Sequence, residues 1–410
     1  MVRRPGILFY STQPTYPFWG GSEKFWYENV LDSRLRDMFD CHVILCDSPV
    51  TRARAAHLES LGVTVEWFQV TVPARTRFTV TERVGRTLKR LVRREQANPR
   101  QRPWLDEIVE RRRPNLVWFN FAGMGMPPFL EEVTATCRAN AIPYWLVFQH
   151  AHEHFFLVND EQTDRFATMV EGARRVLCVS RRNQAALERA MGRRLKNIWR
   201  AVNAVTGEFL EDAAAVSKMH PIRVEGTARL LNLARFDPTF KGQHVLLEAL
   251  SDPRWENRDW RLTLQGWGDF TSLLHRLINF YGLPTDRVQL CKYTSNVLPI
   301  IVGSDLLVMP SLSEGTPFAM VEAMACGRPA VGTPVGGIPE LIIEGETGWL
   351  ARSTEVGDVA DALERAWAAR PQWPIYGAQA QASTAANYDQ NRTVLDLIEA
   401  LQQDIHNAHD

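Results

Sequence analysis

Short apolar segments rich in β-branched and aromatic residues recur along the first half of the chain, with helix-length segments between them. The predicted strands there are 6–11, 42–47, 63–70, 115–121, 144–149 and 175–180. After an irregular stretch around 203–226 the rhythm resumes, with predicted strands at 229–234, 260–264, 287–290, 305–309 and 329–331. Such alternation is typical of parallel sheets covered by helices on both faces. The pattern predicts an α/β protein with two doubly wound, Rossmann-like domains facing each other across a cleft, where ligands are expected.

Composition and charge narrow the possible function classes. The chain has 410 residues, enough for two or three domains, and 45% hydrophobic with 23% charged residues is ordinary for a globular protein. No apolar run approaches the roughly 18 residues of a membrane span. The 47 basic and 47 acidic residues balance, which argues against nucleic acid as a partner. The halves differ, however, with 31 basic and 21 acidic residues in 1–200 against 16 and 26 in 201–410.

The N-terminus and the cysteines indicate a cytoplasmic protein. The apolar run 6–10 is too short for a signal-peptide core, and no small-residue cleavage site follows it. The six cysteines contain no Cys-x-x-Cys pair, which fits thiols in a reducing compartment. A disulfide between Cys41 and Cys46 would be the extracellular alternative.

The most informative segment follows the predicted strand that ends at Met309. A turn there carries Glu314 and Gly315, and Pro317 stands where a first helical residue is favoured, ahead of a predicted helix over 318–326. The free N–H groups and the dipole of this helix would form a phosphate site in the cleft.

Two carboxylates of this segment, Glu314 and Glu322, can both face the cleft. A carboxylate is a good acceptor for the paired hydroxyls of a sugar or ribose. The alternative is that Glu314 only stabilises the helix start while Glu322 is solvated.

Two cations, Arg235 and Lys241, leave the carboxyl end of the first predicted strand of the second half, the edge where ligands bind in such sheets. Together they could neutralise a diphosphate leaving group. Taken singly, each could equally be a solvated loop residue.

These motifs stand in a known order. The chain has an Arg-x5-Lys-Gly segment at 235–242, a Glu-x7-Glu segment at 314–322, and the sequences Gly-Gly-Ile-Pro-Glu at 336–340 and Gly-Glu-Thr-Gly at 345–348. In this it resembles the retaining, nucleotide-sugar-dependent glycosyltransferases of family four, which have the GT-B fold. The resemblance implies an acceptor-side domain at 1–204, a donor domain at 205–380, and a C-terminal helix within 381–410 that crosses back to the first domain.

The resemblance also implies roles for individual residues. Arg235 and Lys241 would hold the donor diphosphate, so neither a metal nor a cofactor is expected beyond the nucleotide-diphosphate sugar itself. Glu314 and His150, the latter beyond the strand 144–149, would contact the transferred sugar. The backbone after Glu314 would hold the donor sugar, and Glu322 would bind the ribose hydroxyls. The donor-binding set comprises Gly20, Gly21, Asn203, Gly266, Gly268, Lys292, Tyr293, Gly315, Thr316, Pro317, Phe318, Val321 and Glu322.

Three assignments rest on weaker matches. Asn203 stands where the family has an Asn-Gly-Val-Asp turn, but Ala204 replaces the glycine. Trp19 and Glu23 flank the Gly20-Gly21 turn and are the candidates on the acceptor side. His150, His152 and His154 have a spacing also compatible with a metal cluster, but alternate residues beyond a strand need not converge and no acidic or cysteine set supports it.

A basic segment at 83–113, with eleven Arg or Lys residues and four acidic ones, leaves a question about partners. Its pattern is compatible with peripheral contact with an anionic membrane or with recognition of an anionic acceptor. The alternative is a surface helix that packs one apolar edge on the domain. The acceptor is an unidentified hydroxyl compound.

The sequence leaves other functions open on the same architecture. These are a nucleotide-sugar epimerase, a sugar phosphorylase and a non-catalytic sugar-nucleotide binding protein. For a transferase, no convincing carboxylate nucleophile is present, which favours front-face displacement with the diphosphate accepting the proton.

Overall fold

The computed structural model describes residues 4–11, 21–47, 49–68, 103–121, 123, 129–152 and 156–408. These residues form two separate parallel β-sheets, one in each half of the chain. The two-domain α/β architecture predicted from the apolar pattern is confirmed.

The first sheet has seven strands in the order β3-β2-β1-β4-β5-β6-β7, all parallel to their neighbours. Its strands are β1 (Gly6–Ser11), β2 (Asp40–Cys46), β3 (Thr64–Phe68), β4 (Leu116–Phe121), β5 (Tyr144–Phe148), β6 (Arg175–Cys178) and β7 (Ile198–Arg200). The helices beside them are Gly21–Leu31, Ser33–Met38, Pro49–Ser60, Pro103–Arg112, Phe129–Ala139, Asp160–Glu171 and Arg181–Met191. β4 and β5 are buried along their whole length, since helices cover both faces of the sheet.

The second sheet has six parallel strands in the order β10-β9-β8-β11-β12-β13. They are β8 (Ala228–Leu233), β9 (Trp260–Gly266), β10 (Val288–Lys292), β11 (Leu306–Met309), β12 (Ala330–Gly332) and β13 (Gly348–Leu350). The accompanying helices are Gly207–Met219, Pro238–Lys241, Gln243–Leu250, Thr271–Phe280, Leu298–Val302, Phe318–Ala325, Ile338–Leu341, Val356–Ala368 and Trp373–Asn387, with 3-10 turns at Pro253–Trp255 and Arg370–Gln372.

The chain returns to the first domain at its end. The helix Gln390–His406 packs in the same hydrophobic cluster as β1, β4 and β5, through residues such as Val394 and Leu401. Near the end of this helix, the Asp404 carboxylate accepts hydrogen bonds from Trp145 Nε1 at 2.9 Å and Arg175 Nε at 2.6 Å. The last helix therefore stabilises the first sheet rather than the second.

The apolar pattern missed three elements. β7 and β13 have only three residues each and lie at sheet edges, where the requirement for apolar residues is weakest. The stretch expected to be irregular contains the helix Gly207–Met219, begun by Thr206, whose hydroxyl accepts the N–H of Phe209 at 3.1 Å. Only Ala213 of this helix is buried, so its apolar periodicity is weak.

Three smaller observations bear on the other expectations. Cys41 is a free, buried thiol. No helix among the described residues has the length and apolar character needed to cross a bilayer. Residues 83–102 of the basic segment lie outside the described residues, and the remainder forms the helix Pro103–Arg112, where Arg111 and Arg112 pair with Glu66.

Candidate active site

The loop after β8 brings Lys241 to the turn after β11. A short helix, Pro238–Lys241, ends at Gly242, which has φ 60°. The Phe240 carbonyl accepts hydrogen bonds from the N–H groups of Leu312 and Ser313, at 2.8 and 3.2 Å. A Cβ at position 242 would lie 1.9 Å from the Pro310 carbonyl oxygen. Both the left-handed backbone and this close approach require glycine, which explains the Lys-Gly pair of the motif.

Lys241 and Glu314 form the centre of the site. Lys241 Nζ lies 2.7 Å from Glu314 Oε1, and the Ser311 hydroxyl donates to the same oxygen at 2.8 Å. Glu314 is buried, and 21% of the Lys241 side chain is exposed. The carboxylate is therefore held rigidly, while the ammonium keeps one side open to a ligand.

Arg235 lies at the start of the same loop and is more exposed. Its guanidinium donates to Asp237 Oδ2 at 2.8 Å, and 37% of its side chain is accessible. The backbone carbonyl of Arg235 accepts a hydrogen bond from Gln243 Nε2 at 2.7 Å, which fixes the loop.

His150 contributes the first domain's side of the site. It follows β5, and its Nε2 lies 2.6 Å from the Ser313 hydroxyl, next to Glu314. Burial is the main reason that the pKa of His150 falls to about 4; Glu314 opposes this shift, and Lys241, His152 and Arg235 add to it. His150 is therefore neutral near pH 7, so it can exchange hydrogen bonds with a hydroxyl but adds no charge.

Main-chain contacts join the turn 314–316 to the first domain. A Cβ at Gly315 would lie 1.9 Å from the carbonyl oxygen of Gln149. The Thr316 hydroxyl donates to the Val179 carbonyl at 2.5 Å, and Asn183 Nδ2 donates to the Glu314 carbonyl at 3.2 Å. The two domains meet here at van der Waals distance, so the site is closed on this side.

Asn203 also supports the turn. Its side chain is buried and its Nδ2 donates to the Thr316 carbonyl at 2.9 Å, while its Oδ1 has no hydrogen-bond partner in the part of the chain that the structure describes. The residue therefore lies against the turn expected to hold the donor sugar, although Ala204 replaces the family's glycine.

Glu322 contacts the first domain from the helix Phe318–Ala325. Pro317 takes the cap position of this helix, one residue earlier than predicted, because its carbonyl accepts the first helical N–H bonds, from Met320 and Val321. Glu322 Oε1 accepts a hydrogen bond from Lys24 Nζ at 2.7 Å, and the Lys24 ammonium lies 5.1 Å from the centre of the Phe318 ring. The solvated alternative for Glu322 is wrong, since only 10% of its side chain is exposed.

The other expected donor contacts occupy the ends of neighbouring strands. Gly266 ends β9 and Gly268 follows it, both with their backbones against the loop after β8. Lys292 ends β10 and is exposed, and its carbonyl accepts a hydrogen bond from Gln265 Nε2. Tyr293 is 42% exposed beside it. Val321 is fully buried in the hydrophobic core, so its contribution is to packing.

Neither acceptor-side candidate is among the residues that the structure places in the site. Trp19 and Gly20 lie outside the described residues, and Gly21 is the first residue of its helix. Glu23 is 4% exposed and accepts hydrogen bonds from the Ser11 hydroxyl at 2.6 Å and Trp26 Nε1 at 2.7 Å. Burial raises its pKa to about 7, opposed by these two hydrogen bonds and by Arg54. The structure therefore places Glu23 inside the first domain, behind the cleft wall.

The histidine spacing does not assemble a metal site in the described part of the chain. His154 lies outside that part, and within it no group of three His, Cys, Asp or Glu side chains is arranged to hold a metal ion. His150 and His152 instead pack edge-to-face with Phe240.

Several residues of the site escaped the sequence analysis. Ser311 and Ser313 orient Glu314 and His150, while Lys24 pairs with Glu322. Ser311 and Ser313 stand within the motif already singled out, so their position was a usable signal. Lys24 and Glu322 are 298 positions apart, and no local pattern links them.

The second domain matches a known family. Residues 227–369 match the family model described as "Glycosyl transferases group 1". A 109-residue stretch is 39% identical to N-acetyl-alpha-D-glucosaminyl L-malate synthase of Bacillus anthracis, covering 26% of this chain and 27% of the relative. A 144-residue stretch is 36% identical to a D-inositol 3-phosphate glycosyltransferase of Pseudarthrobacter chlorophenolicus, covering 34% of each chain. The matches thus span about a quarter to a third of these curated relatives' length.

The whole fold also has known counterparts. Structures of Anabaena Alr3699/HepE, in complex with UDP and with UDP-glucose, superimpose with TM-scores of 0.72 and 0.69 at 20% sequence identity. The first superposition covers 97% of this chain and 100% of that one, and the second 98% and 100%. The second domain is therefore similar to the group 1 glycosyltransferases over residues 227–369, and the chain as a whole has the GT-B fold of its structural counterparts.

Proposed function

We propose that the protein transfers a sugar from a nucleotide-diphosphate sugar to an acceptor hydroxyl, with retention of anomeric configuration and without a metal ion. The observation that carries the proposal is the convergence of Lys241, Glu314 and His150 between the two domains, with Arg235 on the same loop as Lys241. Cations, a rigid carboxylate and a neutral imidazole are the groups needed to hold a diphosphate and a sugar ring.

The leaving group is stabilised by the second domain. Arg235 and Lys241 lie on one loop, and the helix Phe318–Ala325 begins a few residues after Glu314. Two cations and a helix N-terminus can spread the charge that develops on a departing diphosphate. Since they are fixed by the fold, they need no reorganisation in the transition state. This supports a reaction without a metal.

The sugar is oriented by both domains. Glu314 is anchored by Lys241 and Ser311, which leaves its second oxygen to accept a sugar hydroxyl. Neutral His150 can hydrogen-bond another hydroxyl from the opposite side. Because Glu314 is already engaged by two donors, it is a poor nucleophile, which supports front-face displacement. In that step the bond from the anomeric carbon to the diphosphate oxygen breaks, the acceptor oxygen attacks the same face, and the diphosphate takes the hydroxyl proton.

The comparisons support this reading over the alternatives. The curated relatives carry synthase or glycosyltransferase names, rather than those of an epimerase, a phosphorylase or a non-catalytic binding protein. The complexes of the structural counterpart with UDP and UDP-glucose make a uridine nucleotide the first donor to test. We also propose that the acceptor is a hydroxyl compound and that the protein acts in the cytoplasm. Contact of 83–113 with an anionic membrane is part of the same proposal.

The test is a donor screen followed by turnover. Binding of UDP, GDP, ADP and their sugars is measured by thermal shift, because a ligand that binds the folded state raises its melting temperature. The stabilising donor is then incubated with a panel of hydroxyl acceptors, and the anomeric configuration of the product is read by NMR. Arg235→Ala should lower turnover at least about 100-fold while the melting temperature of the free protein stays close to that of the wild type. Near-normal turnover by this variant, or an inverted product, would contradict the mechanism.

A further inference from the structure

Lys24 is a cation of the first domain that lies inside the proposed donor site. It stands in the first turn of the helix Gly21–Leu31, and its ammonium donates to Glu322 Oε1 of the second domain at 2.7 Å. The same ammonium is 5.1 Å from the ring of Phe318, the first residue of the helix Phe318–Ala325. Lys24 therefore reaches across the cleft to the helix end where the diphosphate is expected.

The pair is well shielded from water. Only 10% of the Glu322 side chain and 29% of the Lys24 side chain are exposed. Separating such a pair without new partners would leave a charge in a poorly solvated place, which is costly. A ligand that takes Glu322 away from Lys24 is therefore favoured when it brings an anion, which adds to the attraction that Lys24 already has from Glu28.

A nucleoside diphosphate meets both requirements. Its vicinal ribose hydroxyls are donors that compete with the ammonium for the Glu322 carboxylate, and its phosphates are anions a few ångströms further along the same molecule. A nucleoside without phosphates supplies the hydroxyls but gives Lys24 no new partner. The transfer of Lys24 from Glu322 to a phosphate should thus favour binding of the diphosphate over binding of the nucleoside.

We propose that Lys24 is a further donor-binding residue, which passes from Glu322 to the donor diphosphate when the ribose hydroxyls bind Glu322. The inference rests on the proposed function and deepens it. Arg235 and Lys241 approach the diphosphate from the second domain, and Lys24 adds a cation from the first. Binding of the diphosphate then holds the two domains together through one shared ligand.

The test measures how much tighter a nucleoside diphosphate binds than the corresponding nucleoside, and compares this gain between variants. The full chain is titrated calorimetrically with UDP, and uridine is measured by competition with UDP; adenosine and guanosine with their diphosphates cover the other bases. The readout is the ratio of the nucleoside dissociation constant to the diphosphate dissociation constant. Lys24→Gln removes the charge but keeps an N–H donor for Glu322, and Lys24→Arg keeps the charge.

Lys24→Gln should reduce this ratio about tenfold or more, because a charge-assisted contact to phosphate is lost. Lys24→Arg should retain most of it. Arg34→Met is the matched control, since Arg34 also connects distant parts of the chain, through Asn391, but lies outside the site. Its ratio should equal that of the wild type.

The outcomes separate the inference from the proposed function. If Lys24→Gln changes the binding of nucleoside and diphosphate by the same factor, Lys24 only ties the domains together and the inference is overturned. If the unsubstituted chain binds none of the three diphosphates, the proposed function itself fails and the inference with it.

Discussion

The contact between Gly315 and Gln149 makes a sharp prediction about domain closure. A Cβ at position 315 would lie 1.9 Å from the Gln149 carbonyl oxygen, whereas ordinary contacts begin at 3.4 Å. The other atoms within reach of that Cβ, Gln149 C and Val179 Cγ2, also belong to the first domain. In Gly315→Ala the two domains must therefore separate locally by about 1.5 Å, since neither strand end can yield easily in a close-packed core.

The magnitude follows from the position of the site. His150 is adjacent to Gln149, and Glu314 is adjacent to Gly315, so the displacement acts directly on the groups proposed to hold the sugar. A misplacement of about 1 Å can cost about 100-fold in rate. We expect kcat/KM for donor turnover to fall by about that factor. Val179 is the core residue that the added Cβ approaches, at 3.1 Å, and the rest of its cluster keeps its packing, so the unfolding midpoint should change little.

The assay combines nucleotide release from the donor with small-angle X-ray scattering of the free protein. Gly357→Ala is the matched control, because Gly357 lies in the helix Val356–Ala368 and, apart from its own helical turn, no atom of the described residues lies within 4 Å of the added Cβ. Gly315→Ala should show the lower rate and a larger radius of gyration than this control. Equal rates and equal scattering for the two variants would refute the view that this backbone contact sets the closed geometry.

Three further predictions concern buried polar groups and are read by chemical unfolding. Burial raises the pKa of Glu23 to about 7 from its ordinary value near 4.5, so wild-type stability should fall as pH rises from about 4.5 to 7. Glu23→Gln should therefore stabilise the protein by about 3 kcal/mol more at pH 8 than at pH 4, and a pH-independent effect would contradict this. Gln149 is 4% exposed, and neither of its side-chain amide atoms has a hydrogen-bond partner among the described residues. Gln149→Met should therefore stabilise the free protein by about 1 kcal/mol, and a lower unfolding midpoint would count against it. Asp404→Ala should lower the free energy of unfolding by about 3 kcal/mol, because it leaves Arg175 without its buried partner. Substituting the exposed Asp396 in the same helix should cost little, and equal losses for the two variants would show that the Asp404 contacts do not hold the helix.

The fold was largely predictable because its strands are buried on both faces. Runs that are almost entirely apolar, such as Leu116–Phe121 with Asn120 as its one polar residue, are visible without any knowledge of their neighbours. The edge strands β7 and β13 were missed since each has only three residues, and β7 is also partly exposed. The helix Gly207–Met219 was missed because it buries a single residue.

The site was predictable where its residues follow strands of one domain. Arg235, Lys241 and Glu314 come from loops at the carboxyl edge of the second sheet, which the topology brings together. The pairing of Lys24 with Glu322 depends on the angle between the domains, which no local sequence pattern encodes. The neutrality of His150 depends on burial by both domains and was equally out of reach.

Main-chain contacts are one part of what sets the angle between the domains. The chain crosses between the domains at Val205 and again at Asp389, and the two crossings are hydrogen-bonded to each other: Val205 N to Tyr388 O at 2.9 Å and Gln390 N to Val205 O at 3.0 Å. Linked in this way, the two crossings form a single hydrogen-bonded connection between the domains. Asn203, two residues before Val205, donates to the Thr316 carbonyl and ties the turn at Gly315 to this connection. The approach of Lys241 and Glu314 to His150 is therefore fixed by the linked crossings together with the contacts of the turn, which include the backbone of Gly315 and the side chains of Thr316 and Asn183.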